Sequence, residues 1–227
     1  MWAVPESAAP TVDLPESAPP PWPARVRAAL WWHRTTPQGR ALRPSPAVPL
    51  TVGMVVDYLD SPVGPYREVL ASPVLLRAAV PTLAVPFIGV DSAASAHGGR
   101  VHWDLPKTLA AFAGDVTGEA EAVGPGWHVR TAVRPRGVPL PIAGVVRFAQ
   151  PRTDGDLGVA AARLVGLGRL ARVTVDTAGP SLPQWLAPGR HPGIVILAGR
   201  MTTGRQHRRT ASHHPAGSVS PDTHPNG

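Results

Sequence analysis

The residue with the clearest chemical potential is Lys107, in the stretch VHWDLPKTLAAF, residues 101–112. The chain has 22 lysine and arginine residues together, and Lys107 is the only lysine among them. A lysine amine can lose its proton, whereas a guanidinium keeps its proton at any working pH. The bias toward Ala, Gly, Pro and Arg, typical of a GC-rich genome, would also deplete lysine, and a surface lysine is the alternative interpretation. Lys107 is therefore a candidate nucleophile.

Three further side chains are candidates to act with this lysine. Glu68 is the only glutamate between residues 17 and 118, and it either shuttles protons in a site or stands exposed on a strand. Tyr66 shares its face if both lie on a strand, so Tyr66 lines the same pocket or belongs to the core. The planar fork of Arg100 suits a carboxylate or a structural clamp, and an internal ion pair is the alternative.

The order and spacing of these residues resemble the acetoacetate decarboxylase family. The resemblance covers residues 50–112 most strongly and extends more weakly through residues 188–201. Its matching features are short pairs of residues in the same order along the chain: Tyr66 with Glu68, Gly99 with Arg100, and Pro106 with Lys107.

The resemblance implies a closed β-barrel or sandwich and a lyase that works through a Schiff base. In that family, the lysine at the position of Lys107 condenses with the ketone of a small keto acid, and the protonated imine accepts the electrons released as CO2 leaves. Glu68 is implied to be catalytic, and Arg100 and Tyr66 are implied to bind the substrate. An aldol or dehydration outcome is also open in the wider superfamily. The resemblance further implies a homo-oligomer, and we expect no cofactor.

One residue departs from the family pattern. Acetoacetate decarboxylases have a second lysine directly after the nucleophile, and this chain has Thr108 there. A free lysine, with a pKa of about 10.4, is nearly all ammonium at pH 7, so an imine-forming lysine needs a neighbouring cation or desolvation. Trp103, Leu105 and Leu109 are the candidates to supply that desolvation. A non-catalytic small-molecule-binding protein on the same fold is therefore the alternative function.

Strand patterns dominate the segments that must position these residues. Apolar runs rich in β-branched residues, separated by Pro and Gly, predict strands at residues 24–33, 50–59, 82–91, 126–135, 141–150, 170–177 and 193–201. Short helices are predicted at residues 105–113, 158–166 and 181–187. The predicted fold class is therefore mostly β (α+β), with a few short helices in one domain.

The two ends of the chain differ in composition from its centre. Residues 1–22 are rich in Pro and Ala and repeat VPESAAP as LPESAPP, whereas residues 203–227 are basic and His-rich. Segments with so little apolar surface to bury do not form a packed core, so both ends are predicted to be disordered. The acetoacetate decarboxylase-like domain is predicted to occupy residues 23–202.

Composition narrows the remaining classes of function. The formal net charge is +7, but the basic residues are dispersed except for RQHRR, residues 205–209, so nucleic-acid binding is a minor alternative. Cysteine is absent, which excludes disulfides, and the nine histidines lack metal-ligand spacing, so no metal is expected. No apolar run approaches the ~20 residues that span a bilayer, and no secretory signal is recognisable, so a cytoplasmic protein without membrane contact is expected.

Overall fold

The computed structural model describes residues 17–42, 47–77 and 79–209. Most of these residues lie in strands, and the helices are short, which confirms the mostly β fold class. The elements in chain order are β1 (Trp22–Arg34), α1 (Pro37–Ala41), β2 (Ala47–Asp60), β3 (Tyr66–Arg77), β4 (Val80–Leu83), β5 (Phe87–Val90), α2 (Ala93–Trp103), β6 (Lys107–Leu109), β7 (Ala111–Gly114), β8 (Glu119–Gly124), β9 (Trp127–Pro151), β10 (Leu157–Ala178), α3 (Leu182–Trp185), β11 (Gly189–Thr203) and β12 (His207–Arg209).

The strands form one large sheet that curls back on itself. Hydrogen-bonded neighbours follow the order β12-β10-β11-β1-β2-β3-β4-β9-β8-β7, and β9 also pairs with β10. The link between β4 and β9 is a parallel contact at Leu83 and Phe148. Because this link is so short, the sheet is better described as strongly curled than as a regular barrel. The curl leaves an interior face that is closed enough to hold a buried site.

Alternation along the strands places apolar side chains on the interior face. In β1 the buried positions recur every second residue over most of its length, as expected for a strand with one covered face. Trp31 is fully buried, and its indole lies against the backbone of β2, where a Cβ at Gly53 would approach the ring to 2.3 Å. Burial of each large apolar side chain stabilises the fold by roughly 1.5–3 kcal/mol. The core therefore fixes β1 and β2 relative to each other.

The predicted helices are only partly correct. The helix predicted at residues 181–187 is confirmed as α3, whereas residues 105–113 form β6 and β7, and residues 158–166 lie within β10. Strand pairing explains the first error, because β6 pairs with β5 and β7 pairs with β8. The second error arose because small apolar residues fit a helix as well as a strand. Tertiary pairing decides the matter, since β10 has partners on both sides.

The helix that matters most for the site, α2, was not predicted. Adjacent glycines, Gly98 and Gly99, lower its intrinsic helical propensity. Its first turn is nevertheless capped, because the Ser92 hydroxyl accepts a hydrogen bond from the backbone N–H of Ser95. It ends at Asp104, whose φ of 51° is left-handed and turns the chain toward β6.

The edges of the folded body extend slightly beyond the predicted limits. β1 begins at Trp22, close to the predicted start, and β12 lies within residues 203–227, the segment predicted to be disordered. β12 pairs with β10, which explains the extension. Residues 1–16 and 210–227, also predicted to be disordered, lie outside the described residues.

Candidate active site

Lys107 is buried at the start of the short strand β6. This strand lies parallel to β5, with Lys107 in register with Ile88. The Lys107 side chain is only 4% exposed, and its Nζ lies 2.7 Å from Glu68 Oε2. The same Nζ donates a hydrogen bond to Ser95 Oγ at 3.0 Å. Lysines are almost never buried to this degree unless paired, so the interpretation as a surface lysine is wrong.

Glu68 reaches the lysine from β3. Strand alternation places Tyr66, Glu68 and Leu70 on the interior face, where all three line the same cavity as Lys107. Glu68 is as deeply buried as the lysine, and its second oxygen, Oε1, accepts a hydrogen bond from Tyr58 at 3.1 Å. Both carboxylate oxygens therefore have a donor, which is what a buried charge requires.

The two tyrosines of the chain stand together beside this ion pair. Tyr58 on β2 and Tyr66 on β3 face each other across the strand pair, and their rings stack with centroids 4.2 Å apart. Lys107 Nζ lies 5.2 Å from the centroid of the Tyr66 ring. Burial raises the pKa of both phenols well above the usual range, and the nearby Glu68 raises both further. Both tyrosines are thus protonated hydrogen-bond donors at neutral pH.

These groups line a cavity of about 110 Å³. The charged members of its lining, within the described residues, are Lys107 and Glu68. The walls are otherwise largely apolar and include Met54, Ile88, Trp103 and Phe148. Apolar walls with a few convergent polar groups are the usual lining of a small-molecule site.

The Gly99-Arg100 pair acts on Lys107 from α2. A Cβ at Gly99 would lie 2.4 Å from Lys107 Cδ, so the absent side chain leaves room for the lysine stem. Arg100 donates from Nε and Nη2 to the backbone carbonyl of Lys107, at 2.8 and 2.5 Å. It is exposed and is not among the cavity-lining residues. The structure therefore supports the structural clamp rather than the substrate contact for Arg100, because α2 turns its guanidinium away from the cavity.

Thr108, where the family has a second lysine, does not line the cavity. Its hydroxyl donates to the Ile88 carbonyl at 3.3 Å, so it serves the pairing of β5 with β6. Of the residues expected to desolvate the amine, Trp103 and Leu105 do line the cavity, whereas Leu109 is exposed.

Two polar contacts of the site, Tyr58 and Ser95, were missed at the level of sequence. Tyr58 carries a usable signal, because a hairpin between two strand patterns around SPVG places it directly opposite Tyr66. The sequence signal for Ser95 is weaker, because its contact with Lys107 depends on α2, which the adjacent glycines make difficult to predict.

The other candidate features are a metal site, the basic RQHRR stretch and a membrane-spanning helix. Within residues 17–42, 47–77 and 79–209, no cluster of three His, Asp or Glu side chains is arranged to hold a metal ion. In the RQHRR stretch, Arg208 pairs with Asp154 and Asp156, and Arg205 donates to the Pro20 carbonyl. The helices in the described part of the chain are too short or too polar to cross a membrane.

Comparison with solved structures identifies the fold. An acetoacetate decarboxylase from Legionella pneumophila superposes with a TM-score of 0.64 at 14% identity, covering 90% of this chain and 94% of the other. The chain has the acetoacetate decarboxylase-like fold. An acetoacetate decarboxylase-like enzyme from Sphingomonas wittichii RW1 gives a TM-score of 0.63 at 15% identity, covering 86% and 94% of the two chains. The enduracididine biosynthesis enzyme MppR, solved with pyruvate, gives 0.57 at 16% identity, covering 88% and 94%.

The likeness is one of structure rather than of sequence. No protein-family description and no curated protein sequence matches the chain. At identities this low, the superpositions establish the acetoacetate decarboxylase-like fold, and the neighbours that share it are enzymes.

Proposed function

We propose that the protein is an acetoacetate decarboxylase-like lyase that forms a Schiff base between Lys107 and a small keto acid. The observation that carries this proposal is the buried amine of Lys107, 2.7 Å from a buried carboxylate and facing a cavity with apolar walls. The structural neighbours include acetoacetate decarboxylases and an enzyme solved with pyruvate, which supports a keto acid as the substrate.

The first step requires a neutral amine. Transfer of one proton from the Lys107 ammonium to Glu68 converts the buried ion pair into an amine and a carboxylic acid, and the apolar walls favour such loss of charge. The amine then attacks the ketone carbon to give a carbinolamine. Glu68, now an acid, returns its proton to the carbinolamine hydroxyl, which leaves as water and yields a protonated imine.

The second step uses the imine as an electron sink. In a β-keto acid, the bond to the carboxylate breaks, CO2 leaves, and the electron pair moves to the imine nitrogen to form an enamine. Protonation of the enamine carbon and hydrolysis by water release the ketone and restore the lysine. An aldol or dehydration outcome would use the same imine with a different bond broken. Tyr58 and Tyr66, whose pKa values are raised by burial, remain donors throughout.

Reductive trapping tests the proposal directly. We expect sodium cyanoborohydride with acetoacetate or pyruvate to add the mass of one reduced imine to the intact chain. Peptide mapping should place the adduct on Lys107, the only lysine, and distinguish it from the N-terminal amine. The matched control is Lys107→Arg, which keeps the cation and cannot form an imine. Absence of an adduct across a panel of keto acids would contradict the proposal.

A non-catalytic small-molecule-binding protein is the competing function. The observation that favours it is the pairing of the Lys107 amine with Glu68 and Ser95, which satisfies the amine without any substrate. In that case a ligand should bind Lys107→Arg nearly as well as the natural chain, and no turnover should accompany binding. A complete loss of measurable turnover in Lys107→Arg, with turnover in the natural chain, would exclude it.

We further propose that the protein is a homo-oligomer in the cytoplasm. Support for self-association comes from exposed apolar side chains on neighbouring strands, among them Val138 on β9 and Leu170 on β10, which are 70% and 65% exposed. Exposed apolar surface of this kind commonly marks a protein interface. Light scattering on the full chain should give a mass above the 23.8 kDa of one copy; a single copy at every concentration would contradict self-association.

A further inference from the structure

Helix α2 holds Lys107 at three separate points. Ser95 accepts a hydrogen bond from the tip of the side chain, Gly99 makes room for its stem, and Arg100 binds its backbone carbonyl. Ser95 and Gly99 lie four residues apart, on one face of the helix. The helix thus fixes the tip, the stem and the backbone of a single residue.

Arg100 itself is held at a well-anchored helix end. The backbone N–H of Asp104 donates to the Arg100 carbonyl at 3.2 Å, and the N–H of Leu105 donates to the Gly99 carbonyl at 3.0 Å. The Asp104 carboxylate accepts a hydrogen bond from Arg152 at 3.0 Å. Hydrogen bonds therefore hold the turn between Arg100 and Lys107. A shift of Arg100 would displace the Lys107 backbone.

The strand that carries Lys107 has few backbone pairings of its own. β6 spans only Lys107–Leu109 and pairs with β5 through three residue pairs. Two donors from one guanidinium fix the direction of the Lys107 carbonyl, because a planar fork resists rotation more than a single hydrogen bond does. The position of the Lys107 backbone in turn decides where Nζ lies relative to Glu68.

We propose that Arg100 is a positioning residue for imine formation, acting through the Lys107 carbonyl rather than through the substrate. This inference rests on the proposed function of Lys107. A misplacement of reacting atoms by about 1 Å can cost on the order of 100-fold in rate. Loss of the clamp should therefore slow attack by the amine while leaving the cavity, and hence occupancy by the keto acid, almost unchanged.

The test compares trapping rates in variants of the full chain, with pyruvate as the probe and sodium cyanoborohydride as the reductant. We expect Arg100→Ala to lower the rate constant for adduct formation on Lys107 by about 10- to 100-fold, as the positional argument requires. The pyruvate concentration that gives half the maximal rate should stay within about twofold. Methylguanidinium in the buffer should restore part of the rate, because it can occupy the vacated position beside the carbonyl.

Matched variants separate positioning from stability. Val101→Ala removes an exposed side chain from the next position on α2, and its trapping rate should equal that of the natural chain. Gly99→Ala should also slow trapping, because its Cβ would displace the lysine stem. Thermal unfolding of each variant shows whether the fold is intact, and rescue of a folded variant by methylguanidinium ties the slower trapping to the lost guanidinium.

The outcomes distinguish this inference from the function on which it rests. If the natural chain forms no adduct at Lys107, the proposed function fails. If the natural chain forms the adduct and Arg100→Ala forms it at the same rate, the proposed function stands and the positioning role is overturned. A large rise in the half-saturating pyruvate concentration with an unchanged maximal rate would instead make Arg100 a binding residue, which also overturns the inference.

Discussion

Two ion pairs of equal length stand in opposite surroundings. Lys107 and Glu68 approach to 2.7 Å in the interior, with side chains 4% and 5% exposed. Arg27 and Asp57 approach to the same distance across β1 and β2, with side chains 37% and 21% exposed. The distance is the same, but water screens one pair and is largely excluded from the other.

The difference in burial predicts which ion pair contributes more to the stability of the fold. Each buried charge depends on its partner, because removal of that partner leaves an uncompensated ion in an apolar cavity. Each half-buried charge of the Arg27–Asp57 pair still has water as a substitute, so this pair contributes less. Proton transfer within a buried pair yields two neutral groups, and imine formation needs the neutral amine. The contrast is therefore as informative about function as about stability.

Breaking the buried pair should have the largest effect. We expect Glu68→Ala to lower the free energy of unfolding by about 3–5 kcal/mol, because the Lys107 ammonium loses its partner. Chemical denaturation followed by fluorescence measures this. A loss below about 1 kcal/mol, the range of surface pairs, would mean that water reaches the site.

Replacing both charges together sharpens the comparison. We expect Glu68→Leu with Lys107→Met to restore most of the stability lost by Glu68→Ala, since the desolvation of two ions disappears with them. The same denaturation experiment applies, and trapping with pyruvate should be abolished. If the double variant is as unstable as Glu68→Ala, packing rather than charge accounts for the loss.

Removing the Tyr58 hydroxyl should have an intermediate effect. Tyr58→Phe deletes the hydrogen bond to Glu68 Oε1 and keeps the ring stacked on Tyr66. A hydrogen bond to a charged group contributes about 1.5–3 kcal/mol, and we expect a loss in that range. The measurement is again equilibrium unfolding. An unchanged free energy would show that another donor satisfies the carboxylate.

Breaking the half-buried pair of Arg27 and Asp57 should have the smallest effect on stability. Asp57→Ala is expected to cost about 0.2–1 kcal/mol, and added salt should reduce even that. A loss as large as that of Glu68→Ala would remove the distinction between the two pairs. The test is unfolding at low and high ionic strength, with the natural chain measured in parallel.

A titratable group away from the site should add a pH dependence of its own. Burial lowers the pKa of His33 below the ordinary 6.5, and the neighbouring His191 lowers it further. As pH falls below about 6.5, the unfolded chain gains this proton before the folded chain does, so stability is lost toward acid pH. His33→Gln should flatten that part of the stability curve; an unchanged slope between the two chains would contradict it.

Local patterns in the sequence account for much of the fold and part of the site. Alternation predicts that Tyr66 and Glu68 share a face, and in the structure both line one cavity with Lys107. Alternation alone cannot bring β6 to β3, because that contact depends on β5 lying between them. Alternation also cannot predict the direction of Arg100, because α2 sets that direction. The low helical propensity of Gly98 and Gly99 makes α2 difficult to predict from the sequence. The sequence-level prediction thus succeeds for residues on one strand and fails for contacts made across several elements.

Exchange of oxygen with solvent tests the central claim most directly. Imine formation expels the carbonyl oxygen of the substrate as water, and hydrolysis introduces an oxygen from the solvent. In water enriched in oxygen-18, we expect the protein to label the ketone oxygen of pyruvate or acetone faster than the uncatalysed exchange, and Lys107→Arg to give only the uncatalysed rate. Labelling at the uncatalysed rate by the natural chain across a panel of small ketones and keto acids, or equal labelling by both chains, would contradict a Schiff base at Lys107.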